Sequence, residues 1–262
     1  MTYKNFAINL AKQAGKIMRK NFALGMKKKI KGDGSPVTVT DLAINSLVIK
    51  QVKKYFPEHA VMGEEESYER VNAQDVWLCD PVDGTIPFSK GMPTFMFLLG
   101  LVHKGDPILG VAYDPIMDRM FFAEKSKGAF LNGKKIHVSK QSVLKGSYIS
   151  QPGAWPSQHY PMPGLAEELA FKYASQPFGV HSIGYNACLL AAGQIDGAIF
   201  AHHTAHDVAA TKIIIEEAGG KVTDIYGHEQ RYDRPITGCV MSNGIMHKQL
   251  LSLVKQHLKK KV

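Results

Sequence analysis

A short apolar run, Val76-Trp77-Leu78-Cys79, leads directly into Asp80-Pro81-Val82-Asp83-Gly84-Thr85. The run reads as a buried strand, so two carboxylates three residues apart stand at the mouth of a core element. Buried carboxylates are costly unless they are paired or hold a metal. The segment therefore suits a divalent cation, beside a glycine whose backbone an anion can approach closely. Two look-alikes fail. An EF-hand loop has acids at alternate positions and Glu at the twelfth, whereas the twelfth position from Asp80 is Gly91. A phosphatase with a covalent carboxylate nucleophile needs an Asp two residues before Asp83, and that residue is Pro81. Water must then be the attacking group, and the chemistry that fits is metal-assisted hydrolysis of a phosphate ester. A plain Pro-Asp-Gly turn after a strand is the simpler alternative.

The chain has 262 residues, enough for two subdomains around a sizeable core. A Pro/Gly-rich connector from Gln151 to Gly164 divides it into 1–150 and 151–262. No run of eighteen apolar residues occurs, so no membrane span is expected. The N-terminus lacks a secretory apolar core. Cys79, Cys188 and Cys239 are widely spaced in apolar contexts and form no zinc pattern. They read as buried small hydrophobes, and a reducing cytoplasm is the expected location. The net charge of +9 is concentrated in Lys27-Lys28-Lys29-Ile30-Lys31 and in Lys259-Lys260-Lys261. The second run reads as a solvated tail. Aromatic residues do not interleave with these lysines as a nucleic-acid platform requires. Such a charge can mean nucleic acid, a membrane surface or an anionic small substrate. Nucleic-acid binding through Lys27–Lys31 is the non-enzyme alternative.

Helical spacing of Phe6, Leu10, Ala14, Ile17, Met18 and Phe22 predicts a first helix. A second begins near Asp41 and stops before Pro57. The middle is rich in strands: 94–103, 108–112, 120–124 and 129–131. Beyond the connector the pattern predicts helices over 165–173, 185–192 and 207–218, strands over 197–201 and 238–242, and a C-terminal helix. Further acids fall at element ends. Asp41 follows Val37-Thr38-Val39-Thr40, Glu64 follows Ala60-Val61-Met62-Gly63, and Asp207 opens the segment that closes at Gly219-Gly220. Singly, Asp41 and Asp207 read as helix N-caps and Glu64-Glu65-Glu66 as a solvated loop.

Together these segments resemble the inositol monophosphatase superfamily, in the same order and over nearly the whole chain. Val37–Asp41 is similar to the family's VTxxD, Gly63-Glu64-Glu65 to its GEE, and Asp80–Thr85 to its DP(I/V)DGT. Asp207-Val208-Ala209-Ala210 followed by Glu217-Ala218-Gly219-Gly220 resembles its DxAA…EAGG, and Met241-Ser242-Asn243-Gly244 its late SNG. The resemblance implies an α/β layered sandwich (αβαβα), a homodimer and a small phosphorylated substrate. It further implies Mg²⁺ at two positions. Glu64, Asp80 and the Val82 carbonyl would hold one ion, and Asp80, Asp83 and Asp207 the other, with Glu64 also touching a weak third. Thr85, bonded to Asp41, would orient and deprotonate the attacking water. The N–H groups of Gly84 and Thr85 would bind phosphate oxygens.

The chain departs from the family on the alcohol side. His206 replaces the frequent Trp before the last aspartate, and Gly84-Thr85-Ile86-Pro87-Phe88 replaces GTTNF. Phe200 stands where inositol-cleaving members carry an acid, and His181-Ser182-Ile183-Gly184 lacks their run of small residues. Phe200, His202, His206 and Ser182 are therefore the candidate substrate pocket, with His203 in the same histidine cluster. Inositol-1-phosphate is the default substrate implied by the family. Histidinol phosphate, fructose-1,6-bisphosphate and a 3′-phosphoadenosine nucleotide are the alternatives.

Overall fold

A computed structural model describes residues 1–32, 34–151 and 159–258. The first half runs α1 (Tyr3–Asn21), β1 (Lys29–Ile30), β2 (Pro36–Val37), α2 (Val39–Tyr55), β3 (Ala60–Gly63), β4 (Asp75–Asp83) and α3 (Thr85–Ser89). Five strands follow: β5 (Met96–His103), β6 (Asp106–Asp114), β7 (Arg119–Glu124), β8 (Ala129–Leu131) and β9 (Lys134–Lys135). The second half contains β10 (Tyr148–Ser150), α4 (Leu165–Glu167), β11 (Gln176–Phe178), α5 (Ile183–Ala191), β12 (Gly197–Phe200), α6 (Ala209–Glu217), β13 (Lys221–Thr223), β14 (Cys239–Ser242) and α7 (His247–His257).

Strands β3 to β9 form one sheet in sequence order, and a second sheet has the order β11-β10-β12-β14-β13. Alternation along the strands sorts the core into layers. Trp77 and Cys79 of β4, with Phe97 and Leu99 of β5, face α1 and α2. Leu78, Met96 and Leu98 face the opposite way, onto α5, α6 and one face of the second sheet. The other face of that sheet, through Ile149, Ile199 and Val240, packs on Leu165, Leu169, Leu250 and Leu253. The layers are therefore αβαβα, the architecture expected from the sequence. Helix α6 lies against bare backbone: a Cβ at Gly110 would stand 2.1 Å from the Ala210 carbonyl oxygen.

Several boundaries differ from expectation. Strand β4 continues through Asp80 to Asp83, with a register irregularity between them. Pro81 has no N–H to offer the ladder, and a bulge re-aims the side chains around it. Helix α2 starts at Val39, two residues before Asp41, because Thr38 caps it; Thr38 and Asp41 form a reciprocal capping box. Helix α6 starts at Ala209, two residues after Asp207, so Asp207 is not its cap. The predicted helix over 165–173 is a short α-turn that widens into a π-turn at Glu168–Lys172. The pairs and triplets β1, β2, β9, β10, β11 and β13 were not expected from the sequence.

Cys79, Cys188 and Cys239 are buried free thiols, and burial pushes the Cys239 thiol up to about 12. No helix among the described residues is long and apolar enough to cross a membrane. Part of the connector, 152–158, and the Lys259–Lys261 tail lie outside the described residues.

Candidate active site

Three chain segments bring acids to one place. Strands β3 and β4 are parallel, with Gly63 opposite Cys79. The Glu64 N–H donates to the Cys79 carbonyl at 3.0 Å, which puts Glu64 beside Asp80 at the carboxyl ends of both strands. The bulge after Asp80 turns the chain so that the Val82 N–H donates to Asp80 Oδ1 at 3.0 Å. Asp83 then meets the first turn of α5. The Ile183 N–H (3.1 Å) and Gly184 N–H (2.9 Å) donate to it, as does the Ser182 hydroxyl. Asp207 arrives from the loop before α6, where the Thr204 hydroxyl donates to it and His206 Nε2 lies 3.5 Å away.

Gly84 turns the chain from β4 into α3 with φ of 90°, a conformation that side chains resist. A Cβ there would also meet the Thr94 carbonyl oxygen at 2.9 Å. The turn carries Thr85 over the start of α2. Its hydroxyl has two acceptors in reach, Val82 O at 3.0 Å and Asp41 Oδ1 at 3.3 Å. Asp41 is fully buried; its other oxygen accepts from the Thr38 N–H at 2.8 Å and from the Thr38 hydroxyl. With both oxygens engaged, Asp41 is placed to orient Thr85.

These groups border a cavity of about 540 Å³. Glu64, Asp80, Val82, Asp83, Gly84, Thr85, Asp207, Ser182, Phe200, His202 and His206 all line it. Asp41 is reached from it through Thr85. The Ser182 hydroxyl is directed to Asp83, to which it donates. His203 packs its ring on His159, centroid to centroid 3.8 Å. Lys31, Thr204 and the Ile183-Gly184 amides were not foreseen. Nothing in their local sequence signals these contacts, which are made across the fold.

The cluster carries concentrated negative charge. Burial, and then the charges of Glu64, Asp83 and Asp207, push the Asp80 carboxyl well above the usual carboxylate range. Burial lifts Asp83 to about 7, against the pull of its hydrogen bonds. Glu64 is raised by burial and by Asp207, and Lys31 only partly offsets this. The Lys31 ammonium reaches Glu64 at 2.8 Å and Glu65 at 2.6 Å. Burial disfavours its charge, but the two acids outweigh burial and raise it. Burial lowers His202.

A hard divalent cation fits this set. The donors are oxygens, and they are mutually repulsive and buried. The site's lysine is already drawn onto two of the acids. One oxygen each of Asp41, Glu64 and Glu65 lies within 4.8 Å of the others.

The chain matches the profile of the inositol monophosphatase family over residues 2–259. A fructose-1,6-bisphosphatase/inositol-1-monophosphatase of Thermotoga maritima is 29% identical, covering 96% of this chain and 95% of its own. Inositol monophosphatase 1 of Solanum lycopersicum is 34% identical, covering 85% and 84%. A solved Thermotoga maritima IMPase superposes with a TM-score of 0.86 at 28% identity, covering 98% of each chain.

Proposed function

The chain belongs to the inositol monophosphatase family and is a phosphoric monoester hydrolase, and from that premise we propose that it cleaves a small phosphate monoester with Mg²⁺ and water. The observation that supports this reading is the convergence of Glu64, Asp80, Asp83 and Asp207 on the cavity that Thr85 also lines. Glu64, Asp80 and the Val82 carbonyl would hold one ion; Asp80, Asp83 and Asp207 would hold a second; Glu64 would also touch a third. When bound, the cations neutralise the phosphate's charge and make the attacking water more acidic. Thr85 Oγ1 orients that water and moves its proton toward Asp41 Oδ1. Asp41 suits this task because burial raises its carboxyl above the usual range. The N–H groups of Gly84 and Thr85 hold phosphate oxygens. In this reading residues 1–150 supply most of the acids, and 151–262 supply Asp207 and the alcohol pocket.

Inositol-1-phosphate is the reference substrate, but Phe200 argues that it is not the best one. Phe200 lines the cavity with its ring 5.5 Å from that of His202. An apolar wall facing a polyol hydroxyl costs about 1–3 kcal/mol, which is roughly a 5- to 150-fold penalty. The Thermotoga relative's name joins a sugar bisphosphate to inositol-1-phosphate, so both belong in the test. Lys28 Nζ reaches Ser89 and Lys31 Nζ reaches the acids, which weakens the nucleic-acid alternative. The experiment measures phosphate release from inositol-1-phosphate, fructose-1,6-bisphosphate, histidinol phosphate and 3′-phosphoadenosine-5′-phosphate, with Mg²⁺ and with a chelator. Hydrolysis should need Mg²⁺, and inositol-1-phosphate should not lead. A tenfold lead for inositol-1-phosphate would reverse the reading of Phe200. Absence of Mg²⁺-dependent hydrolysis would reverse the proposed chemistry.

A further inference from the structure

The Ser182 hydroxyl and the Ile183 and Gly184 N–H groups all donate to Asp83, so that carboxylate sits where the start of α5 puts it. The fit is close. A Cβ at Gly184 would stand 2.7 Å from Asp83 Oδ2 and 2.7 Å from the Leu98 side chain.

The start of α5 is tied in turn to a hairpin of the larger sheet. Strand β6 ends at Asp114 and β7 begins at Arg119, and the two residues are paired in register. Asp114 is fully buried. Its Oδ1 accepts from the Ile116 and Met117 N–H groups at 2.9 and 3.0 Å, which closes the hairpin turn. Its Oδ2 accepts from Arg119 Nε at 3.2 Å and from Nη2 at 2.9 Å. The hairpin is complete with these bonds. Yet Arg119 Nη2 also donates to the hydroxyl of Tyr185, 66 positions away on α5. The guanidinium carbon lies 4.9 Å from the centre of the Tyr185 ring. Tyr185 follows Gly184 directly, and its own N–H donates to the Ser182 hydroxyl oxygen at 3.1 Å. Buried ion pairs add little net stability once desolvation is counted. What the rigid guanidinium fork supplies is a fixed direction, and here it points to the turn that holds Asp83.

We propose that Arg119 and Tyr185 are positioning residues for the cation site, setting the place of the first turn of α5 and, through it, of the Asp83 carboxylate. The proposal rests on the phosphatase reading above, in which Asp83 holds a cation. Neither Arg119 nor Tyr185 lines the cavity. They act through Ser182, Ile183 and Gly184, and groups that orient a metal ligand in this way tune the affinity of the site.

The test uses the full chain. Tyr185→Phe removes the acceptor and keeps the ring. Tyr113→Phe is the matched control. It removes a hydroxyl from the same hairpin, one that donates to Asp118 at 2.6 Å and accepts from Arg19 at 3.2 Å, among the side chains that pack on α1. Mg²⁺ is titrated into each metal-free protein by calorimetry, with inorganic phosphate present, and melting temperatures are measured alongside. Tyr185→Phe should raise the Mg²⁺ concentration for half-saturation about tenfold, the lower end for such groups. The Mg²⁺ concentration for half-maximal hydrolysis should rise by the same factor. Tyr113→Phe should leave both concentrations unchanged, whatever it does to melting. Arg119→Lys keeps a charge for Asp114 without the planar fork. It should also weaken Mg²⁺ binding, and the double variant should be no weaker than the weaker single one, because the two residues form one contact. Should Tyr185→Phe melt at assay temperature, Arg119→Lys takes its place. A variant that binds Mg²⁺ as the wild type does, or an equal loss in Tyr113→Phe, overturns the proposal and leaves the phosphatase reading standing. A wild type that neither binds Mg²⁺ nor hydrolyses a phosphate ester overturns both.

Discussion

The two sides of the cavity are built on opposite terms. On the acid side the carboxylates are held from several directions: Asp83 by Ser182, Ile183 and Gly184, and Asp41 by Thr38 and Thr85. On the side formed by the ends of β11, β10 and β12, polar atoms of Gln151 and Asn186 have no partner within the protein. One side is complete in geometry and unbalanced in charge. The other is balanced in charge and incomplete in hydrogen bonding. In the proposed reading, the contrast separates the part that must be fixed, which would handle the phosphate, from the part that can vary with the alcohol.

The sharpest way to break this contrast is Asp80→Asn. It should lower turnover by about 10³-fold or more, since the metal ions supply several kcal/mol to such reactions. It should also raise the melting temperature of the metal-free protein, because a buried like charge disappears. Near-normal activity in a steady-state assay would remove Asp80 from the proposed site.

Thr85→Ala comes next. It should lower kcat by about 10²–10⁴ with a smaller change in KM. Hydrolysis in ¹⁸O-water should place one labelled oxygen in the released phosphate. A trapped phosphorylated protein would contradict attack by water.

The third test compares the two sides by pH. His247 lies beneath the second sheet, bonded to Thr223 at 3.0 Å and Ser242 at 2.9 Å, and burial lowers it to about 4. Its unfolded counterpart titrates near 6.5. A depressed histidine contributes stability above its unfolded value and loses it as pH falls through its folded value. Stability should fall by about 3 kcal/mol between roughly pH 6.5 and 4. His247→Asn should flatten this stretch of a denaturation-versus-pH curve.

The acids shift the opposite way. Asp83, raised to about 7, contributes to metal-free stability below the ordinary carboxylate range and loses that contribution as pH rises through 7. Mg²⁺ should therefore stabilise the protein more at pH 7 than at pH 5. At a hundredfold excess over Kd the gain is about 2.7 kcal/mol. Thermal melts with and without Mg²⁺ at the two pH values check this, and equal shifts would separate the cation from these carboxyls.

The two sides were also unequally legible in the sequence. The acids stand in local strings, such as Asp80–Thr85, where the proposed hard-oxygen ligands and a glycine turn narrow the choice of residue type. Helix α1 and strand β5 show clear periodicity. The three-residue strands β10, β11 and β13 are too short for alternation to register, so the edge that carries Gln151 was hidden. Asn186 sits within an apolar helix and looks like filler until its unpaired oxygen is seen. The Lys31 contact joins residues 33 positions apart, beyond any local pattern. Even the helix starts misled: Asp41 and Asp207 look like caps, but Thr38 outcompetes the first and the loop holds the second.

The bare contact between Gly110 and Ala210 sets a mechanical tolerance. A Cβ at position 110 would meet the Ala210 carbonyl, which is helix backbone, and the Ile213 side chain beside it at 2.7 Å, so little can give way there. One methyl group at position 110 would force the helix outward, and Asp207, two residues before its first turn, would move with it. Functional groups work within about 0.5 Å of their productive positions. The spacing of a proposed cation ligand is thus set by a residue nearly a hundred positions away that never touches the site.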